Sequence, residues 1–592
     1  MEGETTLIKG MDLSFIPQYE DEKRRFYNAA GEETDPILLA KENGVNLVRL
    51  RIWNEPKNVE PMGYCDLEHT IAMAKRIKEA KMEFMLDFHY SDTWADPGNQ
   101  RKPKAWEELT VIELGQAVYD YTLEVLTALS RENVLPEYVQ IGNEIRSGML
   151  FPEGTTEHWE NLALFINEGI RAVRDFDPEH KIQIMIHLDQ GGRFYYLRDW
   201  FDAALNHGVK DFDIIGISYY PFWHGGYHEF KNSMEQLVER YQKPILVAET
   251  AYAYRITPKS FIGEQQEKIS GFPITPKGQL DCLNLIMNIT ANVSNHMGIG
   301  VCYWEPFSFP DENGGWGENM GLIDEKGHLL EGIQSYQYQV GDYKNDAVAR
   351  VYEPELLQCL LSERDELQLP TSISVLTFEG KQKKIPLQFS ESLEVPEEPC
   401  IQEISGVAIN ACEDGYIEKL PVIQKIQWLK QRDMTANLIV NGDFGQEFEG
   451  WNVAKSDDLV IVEIREELVN PFPEPPVPNA YVQSGINFTL DLNQQVNVKE
   501  QGTYRLSLKL RGDNTTGVDV ELYTMNYDGR QSEKTLTIYP QNEQWMEYEI
   551  PDIEVTSESV TVGLRICAPP IHLNIKEFCF KKQMNLSKEN SK

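Results

Sequence analysis

Residues 138–144 read Tyr-Val-Gln-Ile-Gly-Asn-Glu. Tyr138 to Ile141 carry the apolar, β-branched and aromatic side chains of a buried strand, entered from Pro136. Gly142, Asn143 and Glu144 follow at its C-terminal end. Packing has little use for an acid there, and in a β/α barrel that end opens onto the active-site face. The stretch Pro244-Ile-Leu-Val-Ala-Glu-Thr-Ala-Tyr252 repeats the grammar, with Glu249 closing an apolar run. Two carboxylates distant in the chain but facing each other at one barrel mouth are what glycosidic bond cleavage requires.

Working outward, strand-like runs alternate with helical patterns up to about residue 340. The strand candidates are Leu7–Phe15, Leu47–Trp53, Glu83–Tyr90, Tyr138–Glu144, Lys181–Asp189, Ile214–Pro221, Ile245–Tyr252 and Gly300–Pro306. Helical segments such as Leu67–Ala80 and Val111–Ser130 lie between them. Eight strands with crossover helices predict a (β/α)8 TIM barrel. The alternative, a doubly wound open sheet, wants a Gly-rich phosphate turn after its first strand, and Gly10-Met-Asp-Leu-Ser14 is not one.

Polar and aromatic residues collect at the C-terminal strand ends: Asp12, Arg49, Trp53, Asp87, His89, Asp92, Trp94, His187, Asp189, Tyr219, Tyr220, Trp304 and Glu305. Taken singly, most read as scaffold or core, and Glu144 alone reads equally well as an acid favoured by a helix N-terminus. So many at one barrel face exceed what stability needs. One carboxylic acid must protonate the leaving oxygen and one carboxylate must attack or direct water, and Glu144 and Glu249 suit these tasks. Arg49 is placed to keep a carboxylate ionised, Asn143 to bond a sugar hydroxyl, and Trp53, Trp94, Tyr219, Tyr252 and Trp304 to stack on pyranose faces. No His-x-x-x-His pair or calcium-spaced acid cluster appears, so no catalytic metal is expected.

The first 340 residues resemble glycoside hydrolase family 53, the endo-β-1,4-galactanases. The stretches carrying the resemblance are Lys9–Ser14, Val48–Trp53, Asp87–Pro97, Ile141–Gly148, Ile186–Asp189, Gly216–Phe222, Val247–Thr250 and Tyr303–Pro306. The resemblance implies endo-hydrolysis of β-1,4-galactan with retention, Glu144 as acid/base and Glu249 as nucleophile. Substrate contacts are then expected at Asn143, Arg49, Asp12, His89, Asp92, Trp94, His187, Tyr219, Trp304 and Asn319, with no cofactor. Some bacterial members carry an acid-rich calcium loop after the seventh strand. Here that region reads Arg255-Ile-Thr-Pro-Lys-Ser-Phe-Ile-Gly263 without alternating acids, so no calcium is expected.

Past residue 340 the pattern becomes all-β. The expected order is a catalytic barrel over 1–345, a small immunoglobulin-like β-sandwich spacer over 346–432, a jelly-roll carbohydrate-binding module over 433–582, and a disordered tail over 583–592. Asn437-Leu-Ile-Val-Asn-Gly-Asp-Phe444 and Gly450-Trp451 resemble the opening of jelly-roll modules, with family 61, whose members bind galactan, the first guess. Trp451, Tyr481, Phe488, Tyr523, Tyr527 and Trp545 are its aromatic platform candidates.

A net charge of −39 argues against nucleic acid and suits a neutral polymer. The eight cysteines form no Cys-x-x-Cys pair. Cys282, Cys302, Cys567 and Cys579 read as buried thiols, and Cys400–Cys412 remains an open pairing. No stretch reads as a membrane span, and a monomer is expected. The polymeric substrate favours an extracellular or cell-surface place; Met1-Glu-Gly-Glu carries no leader features, which leaves a cytoplasmic one open. Two other functions fit the same residues: a different β-1,4-glycanase such as a mannanase, and a non-catalytic carbohydrate-binding protein.

Overall fold

The computed structural model describes all residues except 1–6, 57–62, 311–314, 355, 361–366, 390–395, 397–399, 430–436, 447, 457–459, 468–476, 485–487, 513–518, 539–545, 569–570 and 583–592. Trp545, most of the Pro-rich stretch before Val477 and the C-terminal tail therefore lie outside the described residues. The chain forms two compact units: Met1–Leu357 with Gln368–Glu394 and Gln402–Ile426, and Gln358–Leu367 with Val395–Ile401 and Gln427–Lys592.

In the first unit, β1 (Ile8–Asp12), β2 (Leu47–Ile52), β3 (Glu83–Phe88), β4 (Tyr138–Ile141), β5 (Gln183–Leu188), β6 (Ile214–Ser218), β7 (Ile245–Thr250) and β8 (Gly298–Tyr303) pair in chain order and in parallel. β8 closes on β1, with Ile8 opposite Gly300. The eight expected strands are all present, with β8 starting earlier than Gly300. Alternation along each strand sorts the side chains into two sets. Ile8, Leu47, Met85, Met185, Ile214, Leu246 and Cys302 fill the barrel interior. Their neighbours Val48, Leu50, Phe84, Leu86, Ile184, Ile186 and Val247 turn outward into the larger core shared with the helices. The next inward positions toward the C-terminal ends are Asp12, Arg49, Asp87, Gln140 and His187, all buried. The apolar layer is thus the floor on which the polar layer stands.

The helices follow local rules. Val111–Arg131 starts at Thr110, whose backbone and hydroxyl both bond the Glu113 carboxylate, a capping box. One stripe of it, Leu114, Val118, Val125, Leu126 and Leu129, is buried. No helix among the described residues is long and apolar enough to cross a membrane.

After the barrel come β9 (Val348–Val351), β10 (Leu357–Leu360), β11 (Ser372–Thr377), β12 (Gln382–Phe389), β13 (Ile401–Ala411) and β14 (Ile417–Leu429). They form one six-stranded sheet in the order β10-β14-β13-β12-β11-β9, where the sequence suggests two small packed sheets. Ile373, Val375, Ile385, Leu387, Ala408 and Val422 form its own apolar cluster, and its β11–β12 turn packs on the barrel. Phe378 stacks on Tyr343 at 4.0 Å, Asn288 Nδ2 donates to the Phe378 carbonyl at 2.9 Å, and Lys231 pairs with Glu379 at 3.2 Å. Leu376 joins the main barrel core.

The second unit holds β15 (Asn452–Lys455), β16 (Ile461–Glu467), β17 (Val477–Ser484), β18 (Phe488–Asn497), β19 (Gly502–Gly512), β20 (Asp519–Met525), β21 (Glu533–Ile538), β22 (Met546–Val555), β23 (Ser559–Ala568) and β24 (Ile571–Lys582). They make two five-stranded sheets, β15-β18-β23-β20-β21 and β16-β17-β24-β19-β22, around one apolar core. Trp451 packs in that core against Phe444 and Phe578, and Phe488 and Tyr481 are also buried. The expectation of buried thiols is corrected at two positions: Cys567 is exposed and Cys579 half-buried, because outward positions of β23 and β24 carry them. The open Cys400–Cys412 pairing resolves as two free thiols.

Candidate active site

Glu249 reaches the barrel mouth through a break in alternation. Ala248 belongs to the inner layer, so strict alternation would turn Glu249 outward. The pairing register slips between Ile217 and Ser218 against β6, and between Val247 and Thr250 against β8. These irregularities re-aim the side chain to the mouth. Glu144 lies just past β4 in left-handed backbone, φ 47°. It follows Gly142 at φ 76°, where a Cβ would meet Ile145 Cγ2 at 2.7 Å. A non-glycine residue held left-handed stores strain, a recurrent feature of functional positions.

Arg49 sits at the centre, 1 % exposed. Its Nη1 lies 3.0 Å from both Asp12 Oδ2 and Glu249 Oε1, and its Nη2 lies 2.8 Å from Asp87 Oδ2. Nη2 also donates to Asn143 Oδ1 at 2.9 Å and to Gln140 Oε1 at 3.1 Å. The Tyr220 hydroxyl donates to Glu249 Oε2 at 3.1 Å. Burial pushes Glu249 up to about 7 against the pull of Arg49. A net lowering by Arg49, which its position in the sequence suggests, is not obtained, because one guanidinium serves three buried carboxylates. Burial also opposes ionisation of Asp87, but there Arg49 and His89 prevail and hold the carboxyl low.

On the opposite side, Ser218 Oγ lies 2.5 Å from Glu144 Oε1 and 2.9 Å from His187 Nε2, and His187 Nδ1 lies 2.9 Å from Asn143 Oδ1. Burial, then the charges of Glu249 and Asp189, push Glu144 well above the usual carboxylate range. The two glutamates thus differ in kind: one paired with a cation and one hydrogen-bonded to neutral groups among anions.

The remaining expected site residues divide. Trp94 and Trp304 are half-buried and meet edge-on at 5.7 Å, and Trp316 extends this wall at 4.4 Å from Trp304. Asp12 bridges Arg49 and Arg51. His89 acts as scaffold, joining Asp87 at 3.0 Å to Trp53 Nε1 and the Ala95 amide, each at 3.1 Å. Asp92 accepts from the Glu55 and Lys104 amides and so ties two loops. Tyr219 and Asn319 are not brought to the mouth. Tyr219 is outward and buried, stacked on Phe230 at 3.8 Å. Asn319 is fully buried and clamps the loop after β7, bonding the Arg255 and Ile262 carbonyls and the Phe261 amide. Trp53 and Tyr252 are core as well. Tyr220 and Ser218, strand-end residues to which the sequence assigns no role, and Gln140 join the site. Inward parity from Ile214 through Gly216 marks Ser218 and Tyr220, and the same parity sends Tyr219 outward. Among the described residues, no group of three or more His, Cys, Asp and Glu side chains converges to hold a metal ion.

Residues 8–336 match the model of glycosyl hydrolase family 53. The chain belongs to that family. An arabinogalactan endo-beta-1,4-galactanase of Cellvibrio japonicus is 37% identical over 314 residues, covering 51% of this chain and 81% of the relative. An endo-beta-1,4-galactanase of Bacillus subtilis is 32% identical over 378 residues, covering 56% of this chain and 85% of its own length. Among solved structures, the family 53 catalytic domain of Ignisphaera aggregans is 36% identical with a TM-score of 0.53, covering 56% of this chain and 95% of that domain. The family 53 match ends before β9, so the two β-rich modules are additions to the family 53 barrel.

Proposed function

We propose that this family 53 barrel hydrolyses β-1,4-galactan internally by a retaining double displacement, with Glu249 as nucleophile and Glu144 as acid and then base. The observation carrying the roles is the asymmetry at the mouth. Glu249 pairs directly with Arg49 and accepts from the Tyr220 hydroxyl, which favour a carboxylate, whereas Glu144 bonds Ser218, and the nearby Arg146 is turned to Asp189. In the first step Glu249 attacks the anomeric carbon while the Glu144 proton passes to the departing oxygen. In the second, Glu144 takes a proton from water, which displaces Glu249. The roles need about 5–5.5 Å between the carboxyls. Reducing-end release from galactan, mannan and cellulose tests the substrate, with Glu249→Gln as control. Activity confined to galactan is expected; cleavage of mannan favours the mannanase-like alternative, and release by neither parent nor control marks a non-catalytic binding protein.

Activity should be bell-shaped in pH. Glu249 works ionised, so rate falls as pH drops through its raised value near 7. Glu144 works protonated, so rate falls as pH rises through its own raised one. An acid limb in the ordinary carboxylate range would contradict the burial of Glu249. Glycosylation of Glu249 removes its charge, so Glu144 then becomes more acidic and yields to its second role as base.

The modules proposed over 1–345, 346–432 and 433–582 divide the labour, the last holding the enzyme on its polymer. Support comes from the outer face of the β15-β18-β23-β20-β21 sheet. Register aligns Asn452, Asn493, Gly563, Tyr523 and Thr535 in one row, and Asp491, Arg565 and Glu521 in the next. The half-buried Asn493 and Asp491 and the exposed Asn452 offer hydrogen-bonding groups that suit a neutral saccharide, while Tyr523 is buried below Arg565 and donates to Asp491 at 2.7 Å, and Arg565 is shared by Asp491, Glu521 and Glu533. Because the six-stranded sheet packs on the barrel, the informative truncation removes 437–592 alone. Activity on short soluble galactan should persist while retention on insoluble galactan falls about tenfold or more. Loss of activity on the soluble substrate would refute the modular division. We propose that the enzyme works outside the cell or on its surface, where a polymer too large to enter is met. We propose a monomer whose partner is the polysaccharide; a net charge of −39 disfavours nucleic acid.

A further inference from the structure

We infer that a hydrogen-bond wire from Arg49 through Asn143, His187 and Ser218 holds the proton on Glu144, making His187 and Ser218 positioning residues of the acid/base. The inference rests on the reading of Glu144 as general acid. Each link follows from what the groups can donate. Arg49 only donates, so the Asn143 atom 2.9 Å from its Nη2 is the carbonyl Oδ1. The Asn143 amide nitrogen accordingly faces the Ala95 carbonyl at 2.9 Å. Oδ1 cannot donate, so His187 Nδ1, 2.9 Å away, carries a hydrogen and gives it to Asn143. Gln140 Nε2 also comes within 3.1 Å of Nδ1. Its two hydrogens, however, already have acceptors in Gly142 O and Asn143 Oδ1, each at 3.0 Å.

His187 is fully buried and lies near the Arg49 charge, and both disfavour the imidazolium. It therefore keeps one ring hydrogen, and Nε2 is an acceptor. The Ser218 hydroxyl, 2.9 Å from Nε2, donates to it and so spends its only hydrogen. The 2.5 Å contact between Ser218 Oγ and Glu144 Oε1 then takes its hydrogen from the carboxylic acid. The carboxyl O–H donates and the serine accepts.

The wire acts in both steps. When the proton leaves Glu144 for the glycosidic oxygen, Ser218 can turn its hydrogen toward the new carboxylate only by releasing His187 Nε2. That loss strengthens Glu144 as a base. When the attacking water returns a proton, Ser218 turns back to His187. The charges facing Glu144 from other elements are Glu249 on β7, Asp189 after β5 and Asp96 in the loop after β3, all of which favour the protonated acid. Arg146, on the turn after Glu144, opposes them but is held by Asp189 at 2.8 Å.

The test is Ser218→Ala in the full-length protein, read from the pH dependence of kcat/KM on galactotetraose. Alanine removes the acceptor of the Glu144 proton, so the alkaline limb should move down by about one pH unit. A serine that donated to a Glu144 carboxylate would have the opposite sign, so an alkaline limb that rises or stays in place overturns the wire. A second measurement needs no change at the serine. In protein labelled with 15N-histidine, the couplings of the His187 ring, assigned by their loss in His187→Gln, report its tautomer. A hydrogen on Nδ1 with a bare Nε2 supports the wire, and a hydrogen on Nε2 overturns it. The spectrum decides the wire independently of catalysis. If Glu144→Ala were not rescued by azide on an activated aryl galactoside, the acid assignment would fail by itself.

Discussion

Glu249→Ala should lower galactan cleavage on the order of 10⁵-fold, the scale expected when a covalent nucleophile is lost. Folding should survive, because Arg49 keeps Asp12 and Asp87 as partners. Removal of the carboxylate opens space on the face of the sugar opposite the leaving group. Azide placed there should attack an activated aryl β-galactoside and yield the galactosyl azide of inverted configuration. Glu144→Ala should behave differently. An activated leaving group needs little protonation, so the glycosyl-enzyme accumulates and azide speeds its breakdown with net retention. High-performance separation of the two azide anomers reads both experiments. An exchange of the two outcomes between the variants would reverse the roles.

Arg49→Met should be the most damaging change away from the two glutamates. It leaves Asp12, Asp87 and Glu249 buried around an apolar side chain. Removing one partner from a buried ionic network costs about 3–5 kcal/mol, which denaturant titration would register. The carboxylates can escape only by protonation, so the acid limb of the pH profile should climb and activity at neutral pH should fall by about 10³-fold. Arg49→Lys should restore little, because an ammonium cannot reach Glu249, Asp87 and the two amides of Gln140 and Asn143 at once. Full activity in Arg49→Lys would show that charge alone is needed and that the fork geometry is incidental.

Much of this site was legible in the sequence, and the physical reasons differ by residue. An acid directly after an apolar run has no packing role, so Glu144 and Glu249 stood out. The strand count was legible because each barrel strand is apolar on both faces along most of its length. Arg49, Asp87 and His187 stood out as polar residues at strand ends, and alternation explains their inward aim, since each shares parity with an interior apolar residue one or two turns of the pleat earlier. The same rule separates Tyr220 from Tyr219, which their shared place at a strand end does not. It fails at Glu249, where a register slip that no composition reveals re-aims the strand end. Asn319 entered through the family resemblance alone, and its bonds to three backbone groups of one loop leave no mark in the sequence. The sharing of Arg49 among three acids was also invisible, and with it the raised value of Glu249. The packing of the six-stranded sheet against the barrel depends on Tyr343, Phe378 and Asn288 meeting across distant segments, which no local pattern encodes.

The central claim is that Glu249 forms a covalent bond to the sugar, and trapping that bond tests it most directly. A 2-deoxy-2-fluoro-β-galactoside with an activated leaving group slows both steps but the second more, so the glycosyl-enzyme should persist. Peptide mass spectrometry of the inactivated full-length protein should then find one fluorogalactosyl mass, carried by Glu249. A label on Glu144, or an enzyme that turns the reagent over without ever carrying a label, would contradict the assignment.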